Sequence, residues 1–402
     1  MSDFFQNGTI TTLHRLGASN VEKLEEELFE ISKKRKISLV LPALFSELKG
    51  RALPRIIKEL QKVKYLYQIV ITLGRTEKKE FKIAKDFFSA LLQKVSIIWN
   101  DGERIQKLYK LLEKNELSAG PDGKGRSTWM AYGYVLADGE SDVIALHDCD
   151  ILTYNRELLA RLIYPVANPN LNYEFSKGYY SRITDRLHGR VTRLFFTPFI
   201  RALRKIIGPN QFLEYLDSFR YPLAGEFSMI ADLIRNIRIP GDWGLEAGVL
   251  AEVYANCSIH RICQSDLTDN YEHKHQPLLP KDPQKGLLKM VIDISKSLFR
   301  TLARDGIVFS DGFFKTLGAT YSNIAMETIL RYENDAAINS LVFDRHYEAL
   351  AVETFIEGLR IAGEEFIKYP YSFPYIPRWR RISSAIPNFF EMILNAVKED
   401  NK

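Results

Sequence analysis

Four short apolar runs recur through the first 150 residues, and they restrict the fold more than any other feature of the chain. They are Ile37–Leu41 (ISLVL), Tyr67–Leu73 (YQIVITL), Val95–Trp99 (VSIIW) and the start of VIALHDCDIL at Val143. Runs of that length, apolar on both faces, predict strands covered on both sides. The intervening segments have helical spacing. Val21–Lys36 puts Leu24, Leu28 and Ile31 on one face, and Arg55–Val63 reads as a second helix. Buried strands alternating with helices give βαβ units and a mostly parallel, Rossmann-like α/β sheet flanked by helices. Pro42 is expected to stop the first strand.

Beyond residue 150 the alternation loosens. Asn170–Arg182 reads as an edge or antiparallel strand, and helices dominate Leu194–Phe219. From Lys285 onward helical periodicity prevails, which predicts a helical subdomain or dimerisation element. Tyr369–Arg381 (YPYSFPYIPRWRR) reads as an extended strap on the surface. The expected division is a helical lead-in at 1–36, a catalytic domain at 37–284 whose halves meet near 150, and a helical extension at 285–402.

Composition removes several function classes. Lys and Arg number 55 against 50 Asp and Glu, a net charge of +5 spread over 402 residues. No basic stripe marks a nucleic-acid binder, while small anionic substrates remain compatible with it. The three cysteines fit neither a zinc site nor a disulfide framework, so a reducing cytoplasm is expected. No basic-then-apolar leader is read at the N-terminus, and no apolar run is long enough to span a bilayer.

The chemistry-bearing clusters fall where the strands should end, and in open α/β sheets ligands sit beyond the carboxyl ends of strands. Asp148 and Asp150 follow the run at Val143. Residues two apart in extended chain point the same way, and a divalent cation relieves the repulsion of paired carboxylates. Hard oxygen ligands suit Mg²⁺ or Mn²⁺. The competing reading has one of these acids capping the helix at Arg156–Ile163. A glycine-rich loop places Lys124 just before a helix, a geometry that can approach an anion and that equally describes a solvated turn. Glu226 and Glu246 each follow small residues, in RYPLAGEFSM and GDWGLEAG. For Glu246 the helix dipole alone is a sufficient reason. His273 and His275 lie two apart in DNYEHKHQPL.

Taken in order, LPAL, GKG, the D-x-D, HGRVT, PLAGE, WGLE and EHKHQPL resemble the retaining glucosyl-3-phosphoglycerate synthases and their mannosyl relatives, nucleotide-sugar transferases of the GT-A fold. The resemblance runs from about Ile37 to Leu278. It implies that Pro42, Ala43, Leu44 and Glu47 contact the nucleobase, Glu47 standing one residue later than the family's acid, where this chain has Ser46. Lys124 and Asp148 would hold the nucleotide and sugar. Leu223, Ala224, Gly225 and Glu246 would meet the sugar. Asp150 and His273 would ligate Mg²⁺ or Mn²⁺. Gly189, Arg190 and Thr192 would bind the acceptor, with Trp243 and His275 near it in place of the family's tyrosine and asparagine. Asp148, Asp150, Leu223 and Glu246 make up the implied catalytic set, and Glu226 is expected to be structural. The implied partners are a UDP- or GDP-hexose and 3-phosphoglycerate or glycerate, in a homodimer. Two other readings are a nonenzymatic nucleotide-sugar binder and a D-x-D phosphatase. The latter family carries its motif on the first strand, with Thr or Val at the position Leu152 fills here.

Overall fold

A computed structural model describes residues 6, 8–17, 20–273, 277–280, 282–371 and 375–402. Among these, eight strands form one sheet: β1 (Thr11–Leu13), β2 (Ile37–Leu44), β3 (Gln68–Gly74), β4 (Lys94–Trp99), β5 (Val143–Leu146), β6 (Phe175–Tyr180), β7 (Phe227–Ile230) and β8 (Ile262–Thr268). Their order is β1-β8-β6-β7-β5-β2-β3-β4. Only β7 runs against its neighbours, β5 and β6; the other pairings are parallel. This is the mostly parallel α/β sheet that the sequence led one to expect, with helices from Gly286 to Asn401 following it.

One expectation is corrected and another is met only in part. Pro42 does not stop β2, which continues to Leu44 opposite β3. The reason lies in the register: β5 pairs only with Ile37–Val40. Past Val40 that side of β2 is open, so a residue lacking an N–H is tolerated there. The strand in Asn170–Arg182 is antiparallel to β7 but lies in the middle of the sheet, parallel to β8, with every residue buried. The N-terminal segment also contributes more than a helix, since β1 extends the sheet beside β8.

Strand alternation splits the core. Leu39, Ile69 and Ile71 face the helices Ala52–Leu60 and Arg156–Ala167, while Val40, Val70 and Ile98 face the opposite side. On that second side the apolar core passes without a break into the helices Gly286–Arg304, Asp311–Ile338 and Arg345–Lys368. The aromatic strap ends in a core plug. Trp379 is 1% exposed and stacks on Trp129 at 4.0 Å between ring centroids.

Register also gathers the site. Leu146, the end of β5, pairs with Phe227, the start of β7. The carboxyl ends of β2, β5, β6 and β8 therefore point the same way as the amino end of β7. Residues 42–47, 148–150, 223–226 and 271–273 all follow from that edge.

Candidate active site

Lys124 begins the helix Lys124–Asp138. Its Nζ lies 2.6 Å from Asp148 Oδ1 and 3.0 Å from Glu246 Oε1. Gly123 and Gly125 are needed for this approach. A Cβ at Gly123 would come within 2.6 Å of the Gly241 carbonyl oxygen, and one at Gly125 would overlap the Pro240 carbonyl. The loop is therefore packed against residues 240–241 and is not a solvated turn. Burial opposes ionisation of Asp148, yet the Lys124 charge outweighs it and holds the carboxyl below its usual range. For Lys124 burial favours the neutral amine, and the two carboxylates override that, raising its pKa well above the ordinary value. Lys124 and Asp148 are both ionised at neutral pH. Glu246 sits in the first turn of the helix Leu245–Asn256, within reach of the Lys124 amine.

The capping alternative for the D-x-D fails. Asn155 caps the helix at Arg156, accepting from the Leu158 N–H. Asp150 Oδ2 lies 3.4 Å from His273 Nδ1, while its Oδ1 is buried and has no hydrogen-bond partner among the described residues. An orphaned buried carboxylate oxygen beside an imidazole fits a divalent cation that takes its remaining ligands from a diphosphate and water. Among the described residues no cluster of three or more His, Cys, Asp or Glu could hold a metal alone. His275 lies outside the described residues.

Pro42, Ala43, Leu44 and Glu47 line the same cavity, and Glu47 Oε2 accepts from the Leu44 N–H at 3.3 Å. Leu223 and Gly225 line it too. A Cβ on Gly225 would come within 2.8 Å of Asp148 Cγ, so the backbone at 225 must stay bare for Asp148 to hold its position. Ala224 is the exception: it is fully buried and does not line the cavity, and its carbonyl accepts from the buried Lys177 Nζ at 2.5 Å. Burial pushes the Lys177 amine down to about 8. Glu226, fully buried, accepts from the Tyr180 and Tyr271 hydroxyls, each at 2.6 Å. Those two rings stack at 3.7 Å. Burial, aided by the Asp148 charge, raises the Glu226 pKa.

Gly189, Arg190, Thr192 and Trp243 line the opposite side. Gly189 has φ +73°, a left-handed conformation that glycine adopts without strain. Arg190 donates through Nε to Glu348 Oε1 at 2.8 Å and lies over the Tyr347 ring at 4.4 Å. Trp243 is 41% exposed. One cavity of about 1560 Å³ joins residues 42–44, Glu47, Lys124, Asp148, Asp150, Leu223, Gly225, Glu246 and His273 to Gly189, Arg190, Thr192 and Trp243. That exceeds the usual small-ligand pocket of roughly 300–1,000 Å³ and leaves room for two substrates.

No family model matches the chain. It is 51% identical over 401 residues to the glucosyl-3-phosphoglycerate synthase of Persephonella marina, covering 100% of this chain and 99% of that protein. It belongs to the glucosyl-3-phosphoglycerate synthase family. The synthase of Methanococcoides burtonii is 38% identical over 406 residues, covering 100% of this chain and 98% of the relative. Among solved structures, the glucosyl-3-phosphoglycerate synthase of Mycobacterium tuberculosis with Mn²⁺, UDP-glucose and phosphoglyceric acid has a TM-score of 0.52 at 21% identity. That match covers 75% of this chain and 89% of the other, and it establishes a shared fold.

Set against that synthase family, several residues at this site were not anticipated from sequence. Lys177 interrupts a strand whose six residues are all buried, and a lysine there is a readable signal. Glu348 sits three, four and seven residues before Ala351, Val352 and Phe355, the buried stripe of its helix, so an acid on that stripe is a second signal. Nothing in the sequence pairs Glu348 with Arg190, 158 positions away.

Proposed function

We propose that this chain is a metal-dependent retaining hexosyltransferase that moves glucose from UDP-glucose to 3-phosphoglycerate. The observation that carries the reading is the Lys124–Asp148–Glu246 cluster beside Asp150 and His273, in a cavity that ends at Arg190. Its setting is a chain 51% identical, end to end, to a glucosyl-3-phosphoglycerate synthase. The relatives in solved structures are described with UDP-glucose, Mn²⁺ or Mg²⁺, and phosphoglyceric acid.

In this reading Pro42, Ala43, Leu44 and Glu47 receive the base. Lys124, Asp148, Glu246 and the backbone at Leu223 and Gly225 hold the diphosphate-linked sugar. Asp150 and His273 would hold the cation, which when bound neutralises charge on the departing diphosphate. Arg190, Gly189 and Thr192 take the acceptor's anionic groups, a task for which a guanidinium is well shaped. The work of the protein is positioning and electrostatics. Glu226 is committed to two tyrosine hydroxyls and Glu246 to Lys124, so neither is placed to act as the base an inverting reaction requires. That favours attack from the face the leaving group vacates, with the diphosphate taking the acceptor proton.

We also take the protein to work in the cytoplasm and as a homodimer. Among the described residues no helix is long and apolar enough to cross a membrane. Exposed Leu330, Ile338 and Val342, in and after one C-terminal helix, are the kind of surface a second copy would cover.

A matrix of UDP- and GDP-hexoses against 3-phosphoglycerate and glycerate, with and without EDTA, tests the reading through nucleoside diphosphate release. Expected are cation-dependent turnover highest with UDP-glucose and 3-phosphoglycerate, and an α-anomeric coupling constant in the product's NMR spectrum. Release that persists in EDTA, or a β-linked product, would overturn it.

A further inference from the structure

Residues 182–193 are tied to the C-terminal region by three contacts. Val342 N–H donates to the Asp185 carbonyl at 2.8 Å. Arg190 Nε donates to Glu348 Oε1 at 2.8 Å, and Arg193 Nη2 donates to Glu348 Oε2 at 2.9 Å. Glu348 is therefore one buried carboxylate shared between two guanidiniums, its side chain 5% exposed. Arg193 in turn donates through Nε to the His188 carbonyl at 2.8 Å, inside the loop itself. Arg190 is 26% exposed and faces the cavity, whereas Arg193 lies behind it. Tyr347, the residue before Glu348, supplies the ring beneath Arg190.

From this geometry we infer that Glu348 is a positioning residue for the acceptor: it fixes Arg190 directly, and the 182–190 loop through Arg193, in the form that receives 3-phosphoglycerate. The inference rests on the reading of Arg190 given above. It makes the helix Arg345–Lys368 part of the acceptor site. The carboxylate occupies Nε of Arg190 and leaves the two terminal nitrogens to form the paired N–H donors that match a phosphate or carboxylate. An unheld arginine would have to be ordered at the moment of binding, at the expense of affinity.

Glu348→Gln keeps the shape and removes the charge. Its amide has one acceptor end and one donor end, so one of the two guanidiniums meets a donor and is released. The loss of a negative charge near the acceptor acts in the opposite direction. The two guanidiniums that share Glu348 already offset its field at the acceptor, so loss of orientation governs the outcome.

The test is initial-rate kinetics on the full chain with a divalent cation, comparing wild type, E348Q, R190A and the double variant. E348Q should raise the KM for 3-phosphoglycerate about tenfold, with the KM for UDP-glucose within about twofold. In the R190A background, E348Q should add less than about twofold, because its partner is already gone. A full tenfold effect in that background would assign Glu348 a merely structural role and overturn the inference. So would an acceptor KM that is unchanged or lowered by E348Q while R190A raises it. If R190A itself leaves the acceptor KM unchanged, the reading of Arg190 falls first. Should E348Q fail to fold, Tyr347→Leu decides at a half-exposed position: a threefold rise in acceptor KM is expected, and no change overturns the proposal.

Discussion

The floor and the wall of the cavity are built in different ways. The floor, with Pro42, Ala43, Leu44, Glu47, Asp148, Asp150, Leu223 and Gly225, hangs from the sheet edge, where strand register sets each residue close to a buried anchor, and Lys124 joins it from the start of a helix. The wall, with residues 185–193, is a loop and one irregular helical turn whose shape is fixed by a carboxylate from a helix more than 150 residues later. A floor of that kind tolerates little displacement. A wall of that kind can be retuned from outside without disturbing the sheet. The difference suits a transferase whose donor chemistry is fixed and whose acceptor is read separately.

Substitutions can break or sharpen this contrast, beginning at the floor. On the proposed reading Asp150→Ala removes a charged ligand for the cation, and it should lower kcat about a thousandfold, reflecting several kcal/mol of charge stabilisation. Its circular dichroism should match wild type, and near-normal turnover in UDP release would remove Asp150 from the site. Gly225→Ala adds one methyl group against the Asp148 carboxylate. It should reduce kcat/KM for UDP-glucose about a hundredfold while the acceptor KM stays put. An acceptor defect instead would mean that floor and wall are not separable.

At the wall, Arg190→Ala should raise the acceptor KM about thirtyfold and leave the donor's nearly unchanged. The smallest effect concerns Asp293, on the helix that lines the cavity between floor and wall. Burial, with help from the Asp242 charge, raises its carboxyl to about 6 from an ordinary 3.8. The folded state thus binds this proton more tightly than the unfolded chain. Its stabilising contribution is complete below about pH 4 and is lost as pH rises through about 6. Asp293→Asn should therefore be close to wild type in denaturant melts at pH 4 and gain on it by about 2 kcal/mol by pH 7. A constant difference across that range would contradict the assignment.

The floor was largely legible in the sequence and the wall only partly so. Apolar runs at Ile37, Tyr67, Val95 and Val143 signalled the parallel strands, and the acids after Leu146 followed at the expected place. β7 and β8 carried weaker signals. β7 has four residues, and β8 buries polar Gln264 and Ser265, which find partners in Thr12 and Ser176. Alternation cannot flag a strand whose interior polar groups are satisfied by its neighbours. Without those two strands, Asn170–Arg182 had no visible reason to lie in the middle of the sheet. Pro42 misled in the opposite sense, because whether a missing donor matters depends on where the adjoining strand ends.

The Trp129–Trp379 stack carries a consequence for the order in which a nascent chain matures. Trp129 belongs to the helix that begins at Lys124, and Gly133 on the same helix has no room for even a methyl group beneath Trp379. Further along, the Asn401 side chain accepts from the Ile97 N–H at 2.9 Å and donates to its carbonyl at 2.7 Å, closing the outer edge of β4. A ribosome that has finished the whole sheet has still not delivered the indole that packs on the helix Lys124–Asp138. Until residues 379–401 emerge, that helix presents an open aromatic slot. A chain cut before Trp379 should therefore leave the Trp129 face and the outer edge of β4 uncovered.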